Sequence, residues 1–136
     1  MAVWYFPCAR FVTNRGFVWR PVARLEFEGV DSRLLFIVDT GADVSLAPRD
    51  LAELTGLDWE SGQLLKLTGI SQREECSVRG RVHEVPVSIT GEGKSRTIPI
   101  CIAEGQAPML LGRTGFIPPV QLLIDGERRL TRFESR

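Results

Sequence analysis

The run from Leu34 to Leu46 restricts this chain more than any other stretch. Five apolar residues, Leu34-Leu35-Phe36-Ile37-Val38, lead directly into Asp39. Such a run reads as a strand buried on both faces, and a core strand does not end on an acid unless the acid has a task there. Thr40 and Gly41 follow, supplying a hydroxyl that can tie a turn and a residue that admits close backbone approach. The expected result is a carboxylate held on a tight loop at the end of a core strand. The triplet alone decides nothing, since a given tripeptide occurs by chance in roughly 2% of chains this long. Its surroundings carry the reading.

A second stretch repeats the pattern: Pro108-Met109-Leu110-Leu111-Gly112-Arg113 again runs a short apolar strand into glycine and a charged residue. Upstream, Trp19-Arg20-Pro21 precedes a strand expected from Val22 to Glu28. In this order and spacing the three segments resemble the retropepsin-like aspartic proteases, the single-domain relatives of pepsin, over about Trp19 to Ile117. The resemblance implies an all-β, closed β-sheet acid-protease fold with one or two short helices, active as a homodimer. It divides the chain into an N-terminal extension, residues 1–18, and a protease domain, residues 19–136.

Composition narrows the alternatives. With 136 residues the chain can bury one real core but not the two lobes of a self-sufficient pepsin-like enzyme. Its 17 basic and 17 acidic residues balance, which argues against a basic footprint for nucleic acid or a polybasic membrane patch. Cys8, Cys76 and Cys101 are odd in number and far apart, with a single His83, so neither a zinc site nor a disulfide framework is expected. No metal or cofactor is expected, and a reducing, cytoplasmic compartment is. Ala2 to Phe6 is apolar but broken by Pro7 and Arg10, without a basic start, and is too short for a signal peptide or a membrane span.

Along the chain, Ala2 to Val18 shows little periodicity and reads as an extension with one edge strand. Val22, Leu25 and Phe27 alternate up to a turn at Gly29 to Ser32, predicting a β-hairpin with the core strand. After the Asp39 loop, Pro48, then Leu51 and Leu54 on one face, then Gly56 predict a short helix. Gln63 to Leu67 and Cys76 to Val82 are candidate strands flanking a polar segment. Val85, Val87 and Ile89 alternate before Thr90-Gly91-Glu92-Gly93, as do Ile98, Ile100 and Ile102 after it, a strong hairpin signal. Pro86 and Pro99 favour edge or non-donating positions. A short helix at Thr114 to Ile117 is stopped by Pro118 and Pro119. A last hairpin, Val120 to Ile124 and Glu127 to Phe133, turns at Asp125-Gly126 in a primed turn. It makes a longer tail than the single interface strand of the retroviral enzymes.

Chemistry centres on Asp39. Peptide hydrolysis by paired carboxylates needs one ionised group to take a proton from water and one protonated group to polarise the scissile carbonyl. One Asp-Thr-Gly per chain cannot supply both, and a twofold axis at Asp39 supplies the second in an isologous homodimer. The resemblance implies a catalytic Asp39-Thr40-Gly41 in which Thr40 braces its counterpart across the axis. It also implies that Gly41 and Asp43 hold the backbone of an extended polypeptide bound as an added strand. Arg20, Ile37 and Leu110 would line its side-chain pockets, and Gly69 and Ile70 would form the tip of a β-hairpin flap above it.

Asp43 and Arg113, beside Gly112, are implied to pair within a subunit and to be joined by Arg20 of the other. An acid so close to a buried turn needs a partner, and breaking such a buried network costs roughly 3–5 kcal/mol. His83 is expected to be exposed and not catalytic, Cys76 beside Glu74 and Glu75 is a poor nucleophile, and Trp59 is a lid on the core. Asp31, Asp50, Asp58 and Asp125 fit caps of turns or helices. The alternative reading is a catalytically silent retropepsin-like domain used for dimerisation or peptide binding.

Overall fold

The computed structural model describes residues 2–67, 78–117 and 119–135. β1 (Ala2–Pro7) turns Trp4 and Phe6 into the core and Val3, Tyr5 and Pro7 outward, while β2 (Ala9–Thr13) and β3 (Gly16–Arg20) form a separate hairpin. Three strands therefore stand where the sequence predicts one. β1 pairs with the last strand of the chain, so nothing near it in sequence signals the pairing.

β4 (Val22–Phe27) and β5 (Leu34–Val38) make the expected antiparallel hairpin, with Val22 opposite Ile37 and Leu25 opposite Leu34. β5 is not buried on both faces: Phe36 and Val38 are buried, but Leu35 and Ile37, on the other face, are only half-buried. β6 (Ser45–Ala47) is buried throughout and leads into α1 (Asp50–Thr55). The Pro48 carbonyl accepts the Leu51 N–H ahead of the helix, and Gly56 ends it with φ 71°, a left-handed cap that glycine adopts without strain. Leu51 is buried with Ala52, whereas Leu54 is 55% exposed; in so short a helix only the Leu51–Ala52 edge meets the body. A single 3-10 turn over Trp59–Ser61 then sets the Trp59 ring into the core, its Nε1 donating to the Ile102 carbonyl at 2.9 Å.

β7 (Gln63–Leu67) pairs with β8 (Val78–Ile89) from Gln63 opposite Val82 to Leu67 opposite Val78. β8 runs unbroken where the sequence predicts two strands. Gly69, Ile70 and Cys76 lie outside the described residues. β9 (Ser95–Ala103) returns along β8. Pro86 and Pro99 sit in interior strands, each where one flank is unpaired. β8 has left β7 after Val82 and meets β4 only at Val87, and β6 joins β9 at Ile100.

β10 (Leu110–Leu111) inserts between β5 and β6, parallel to the first and antiparallel to the second. Because β4 pairs with both β5 and β8, the ring β4-β5-β10-β6-β9-β8 closes, with β7 attached outside β8. Leu25, Phe36, Ile89, Ile98, Ile100 and Ile102 fill it, fully buried and each contributing about 1.5–3 kcal/mol of apolar transfer. The all-β closed sheet is thus the architecture the sequence predicts. Residues 113–117 turn without forming a helix, since Gly115 at φ 93° leaves helical geometry. β11 (Val120–Asp125) and β12 (Leu130–Ser135) form the last hairpin and, with β1, a sheet ordered β1-β12-β11. Its loop is residues 126–129 and not a two-residue primed turn. Asp125 pairs with Leu130, its Oδ1 accepts the Arg128 N–H at 2.9 Å, and Arg129 takes φ 54°.

Candidate active site

The Asp39 loop spans the gap that β10 opens between β5 and β6, and both sides of the loop are tied to the β10 segment. Ile37 N–H donates to Met109 O at 2.9 Å and Asp39 N–H to Leu111 O at 3.0 Å; Arg113 N–H donates to Ala42 O at 3.0 Å and Thr114 N–H to Asp43 O at 2.9 Å. From the other flank, Val38 N–H donates to Pro21 O at 2.8 Å. Gly112 N–H donates to Oγ of the fully buried Ser45 at 2.9 Å. Gly112 lies so close to Val44 that a Cβ there would stand 2.7 Å from the Val44 carbonyl carbon. The two apolar-to-glycine stretches seen in the sequence are therefore one structure, each holding the other in place.

Asp39 ends half-buried at the rim, its Oδ1 accepting the Gly41 N–H at 3.0 Å, with the Ala42 N–H on its carbonyl at 3.2 Å. A Cβ at position 41 would lie 3.3 Å from that same Oδ1. Glycine here both donates to the carboxylate and leaves it uncovered. Thr40 and Gly41 are exposed, and an apolar crevice lined by Val38, Leu111, Phe116, Ile117 and Val120 runs beneath them.

Ile37 and Leu110 are brought together as register partners, half-buried on the less covered face of the sheet. Arg20 stands at the end of β3, one residue before Pro21, with its guanidinium 5.1 Å over the Phe11 ring. Gly69 and Ile70 are outside the described residues. Arg113 donates to Asp43, but the side chains are 48% and 79% exposed, so the pair is a surface pair in a single chain and not the buried network expected. Its contribution to the fold is about 0–1 kcal/mol. In the monomer, Arg113→Ala should accordingly lower the unfolding free energy in urea by no more than about 1 kcal/mol; a loss of several kcal/mol at monomer concentrations would mean that the pair is desolvated within one chain.

Sequence reasoning passed over Ser45, whose only signal is a hydroxyl between Val44 and Leu46 in a run otherwise destined for the core. His83 is buried, contrary to expectation, with Nε2 3.1 Å from Trp59 O, and it is absent from the lining of the Asp39 crevice. Cys101 is fully buried in β9, and burial pushes its thiol pKa up, away from the thiolate a nucleophile needs. Among the described residues no group of three or more His, Cys, Asp or Glu is placed to hold a metal ion, and no helix is long and apolar enough to cross a membrane.

The chain is similar to the crystal structure of a retropepsin-like aspartic protease from Rickettsia conorii. The match has a TM-score of 0.64 and 20% sequence identity, and covers 97% of this chain and 91% of that one. No family model and no curated protein matches the sequence. The fold is retropepsin-like, as the motifs around Asp39 and Gly112 imply.

Proposed function

We propose that this chain is an aspartic endopeptidase that works as a homodimer, with Asp39 of each subunit forming the catalytic pair. The observation that carries the reading is the Asp39 loop itself: a half-buried carboxylate left uncovered by Gly41, on a backbone pinned by Leu111, Met109 and Pro21. So much backbone hydrogen bonding for one rim acid fits a group that must be placed to within a fraction of an ångström. One carboxylate takes the proton of the attacking water while the other, protonated, polarises the carbonyl. In this reading Thr40 braces the two loops across the axis, and Gly41 and Asp43 hold the main chain of an extended peptide. Ile37, Leu110 and Arg20 meet its side chains. Arg20 also reaches the Asp43–Arg113 pair of the other subunit, which would dry that pair out and raise its worth.

Digestion of an unstructured casein-like polypeptide tests this. In the dilute range the rate per subunit should rise in proportion to protein concentration, because the pair exists only in the dimer. A rate per subunit independent of concentration down to the monomer range would exclude a shared site. Absence of cleavage at any concentration would leave a peptide-binding or dimerisation domain.

A further inference from the structure

The β2–β3 hairpin is not explained by the fold it is attached to. It forms a two-stranded sheet of its own, and neither strand packs extensively on another described element. Isolated two-stranded hairpins are marginal in water, so a ribbon of this kind is stable only when something covers it. Its pairing puts Arg10 opposite Trp19 and Val12 opposite Phe17, all on one face. That face is bare: Val12 is 79%, Phe17 62% and Trp19 46% exposed. Arg10 lies 4.4 Å over the Phe17 ring and Arg129 4.3 Å over the Trp19 ring, so cations frame the apolar surface.

Charge identifies what would cover it. The first 25 residues hold Arg10, Arg15, Arg20 and Arg24 and no acid; all 17 acids lie from Glu26 onward, with 13 of the 17 basic residues. The neutral total thus divides into a cationic N-terminal segment and an anionic remainder, and a second copy of the chain presents the complementary charge. Position agrees. The hairpin springs from Arg20–Pro21, and Pro21 O accepts the N–H of Val38, the residue before Asp39. A twofold axis that brings two Asp39 loops together therefore sets the root of each hairpin against the other subunit's loop. There the Asp43 side chain is 79% exposed. Five residues of strand reach about 17 Å, enough to lie across a neighbouring subunit.

We infer that the β2–β3 hairpin is an arm that closes on the second copy of the chain, burying Val12, Phe17 and Trp19 and setting Arg10, on the same face, against that copy's acidic surface. This rests on the homodimeric reading above and adds a contact that the reading does not need. Because the arm barely touches its own body, its loss weakens association and spares the monomer fold.

The test compares the parent protein with Val12→Asp/Phe17→Asp by sedimentation over a range of concentrations, with thermal melts of both, and adds iodide quenching of the parent. Trp4 and Trp59 are each 7% exposed, so Trp19 is the tryptophan that iodide reaches. The dimer dissociation constant of the double variant should rise about 100-fold or more, since each substitution acts twice across a twofold axis. Its monomer should melt as the parent monomer does. In the parent, quenchable emission should fall as concentration rises through the dimer range, a readout that stands even where the variant folds poorly. A parent dimer with freely quenched Trp19, or a variant that dimerises as tightly, overturns the arm. So does an arm that binds phosphatidylserine vesicles or single-stranded DNA while leaving dimerisation unchanged. A parent that stays monomeric throughout removes the homodimeric reading and the arm with it.

Discussion

Asp39→Asn is expected to lower peptide hydrolysis by about 1,000-fold with no loss of fold, within the range that general acid–base groups supply. The amide oxygen of asparagine can accept the same Gly41 N–H that Oδ1 accepts now, and Asp39 N–H keeps its bond to Leu111. Stability should therefore stay within about 0.5 kcal/mol of the parent. The proton chemistry cannot survive, because an amide neither takes a proton from water nor gives one to the carbonyl. Mixing makes the test specific to a shared site. With a ninefold excess of Asp39→Asn subunits and random exchange, only about one dimer in a hundred keeps two aspartates. Since a parent subunit then finds a parent partner about one time in ten, activity of a fixed amount of parent should fall about tenfold, measured against the same excess of an unrelated protein. Activity that follows the parent subunits linearly would place a complete site in one chain, and undiminished cleavage by Asp39→Asn alone would take this residue out of the mechanism.

Gly112→Ala should damage the fold severely for a single added methyl. Its Cβ would stand 2.7 Å from Val44 C, 2.8 Å from Val44 O and 2.9 Å from Ser45 N, all backbone atoms that cannot rotate aside. Relief requires β6 to move away from β10, which would strain the Gly112 N–H bond to Ser45 Oγ and pull the loop whose Ala42 O is held by Arg113 N–H. Overpacking costs about 1–3 kcal/mol, and the buried donor adds about 1–3 kcal/mol if it loses its partner. A loss of about 3 kcal/mol or more in urea unfolding is the expected outcome. Gly105→Ala serves as the control, since a Cβ there meets nothing within 4 Å. Equal midpoints for the two variants would contradict the close approach of β10 to β6 on which the site depends.

Parts of this molecule were legible in one dimension because their signal is local. Val85, Val87 and Ile89 against Ile98, Ile100 and Ile102 alternate on two strands joined by a short glycine-bearing turn, and period two is what a strand facing a core must show. Asp39-Thr40-Gly41 announced a held carboxylate for a similar reason: an acid at the end of a core strand is costly anywhere except at a site. Other elements were silent. Trp4 and Phe6 alternate as cleanly as any strand, but the stretch is short and its partner is Thr131–Ser135 at the far end of the chain. Asp125-Gly126 has the composition of a two-residue turn, yet the Asp125 carboxylate closes a longer loop by taking the Arg128 N–H. Local chemistry offered both turns, and the register with β12 selected one.

Sequence alone determined that Asp39 sits on a loop after a core strand, that glycine follows it, and that Leu110-Leu111-Gly112 belongs with it. Only the tertiary structure decided how they meet. β10 slides between β5 and β6, Ser45 becomes the acceptor for Gly112, and Asp43 and Arg113 pair in the open and not in a dry interior. Periodicity records which face of a segment leaves water, since that cost is paid residue by residue. It does not record which distant backbone supplies the hydrogen bonds or how much solvent reaches a charge, because those depend on the closing of the whole sheet.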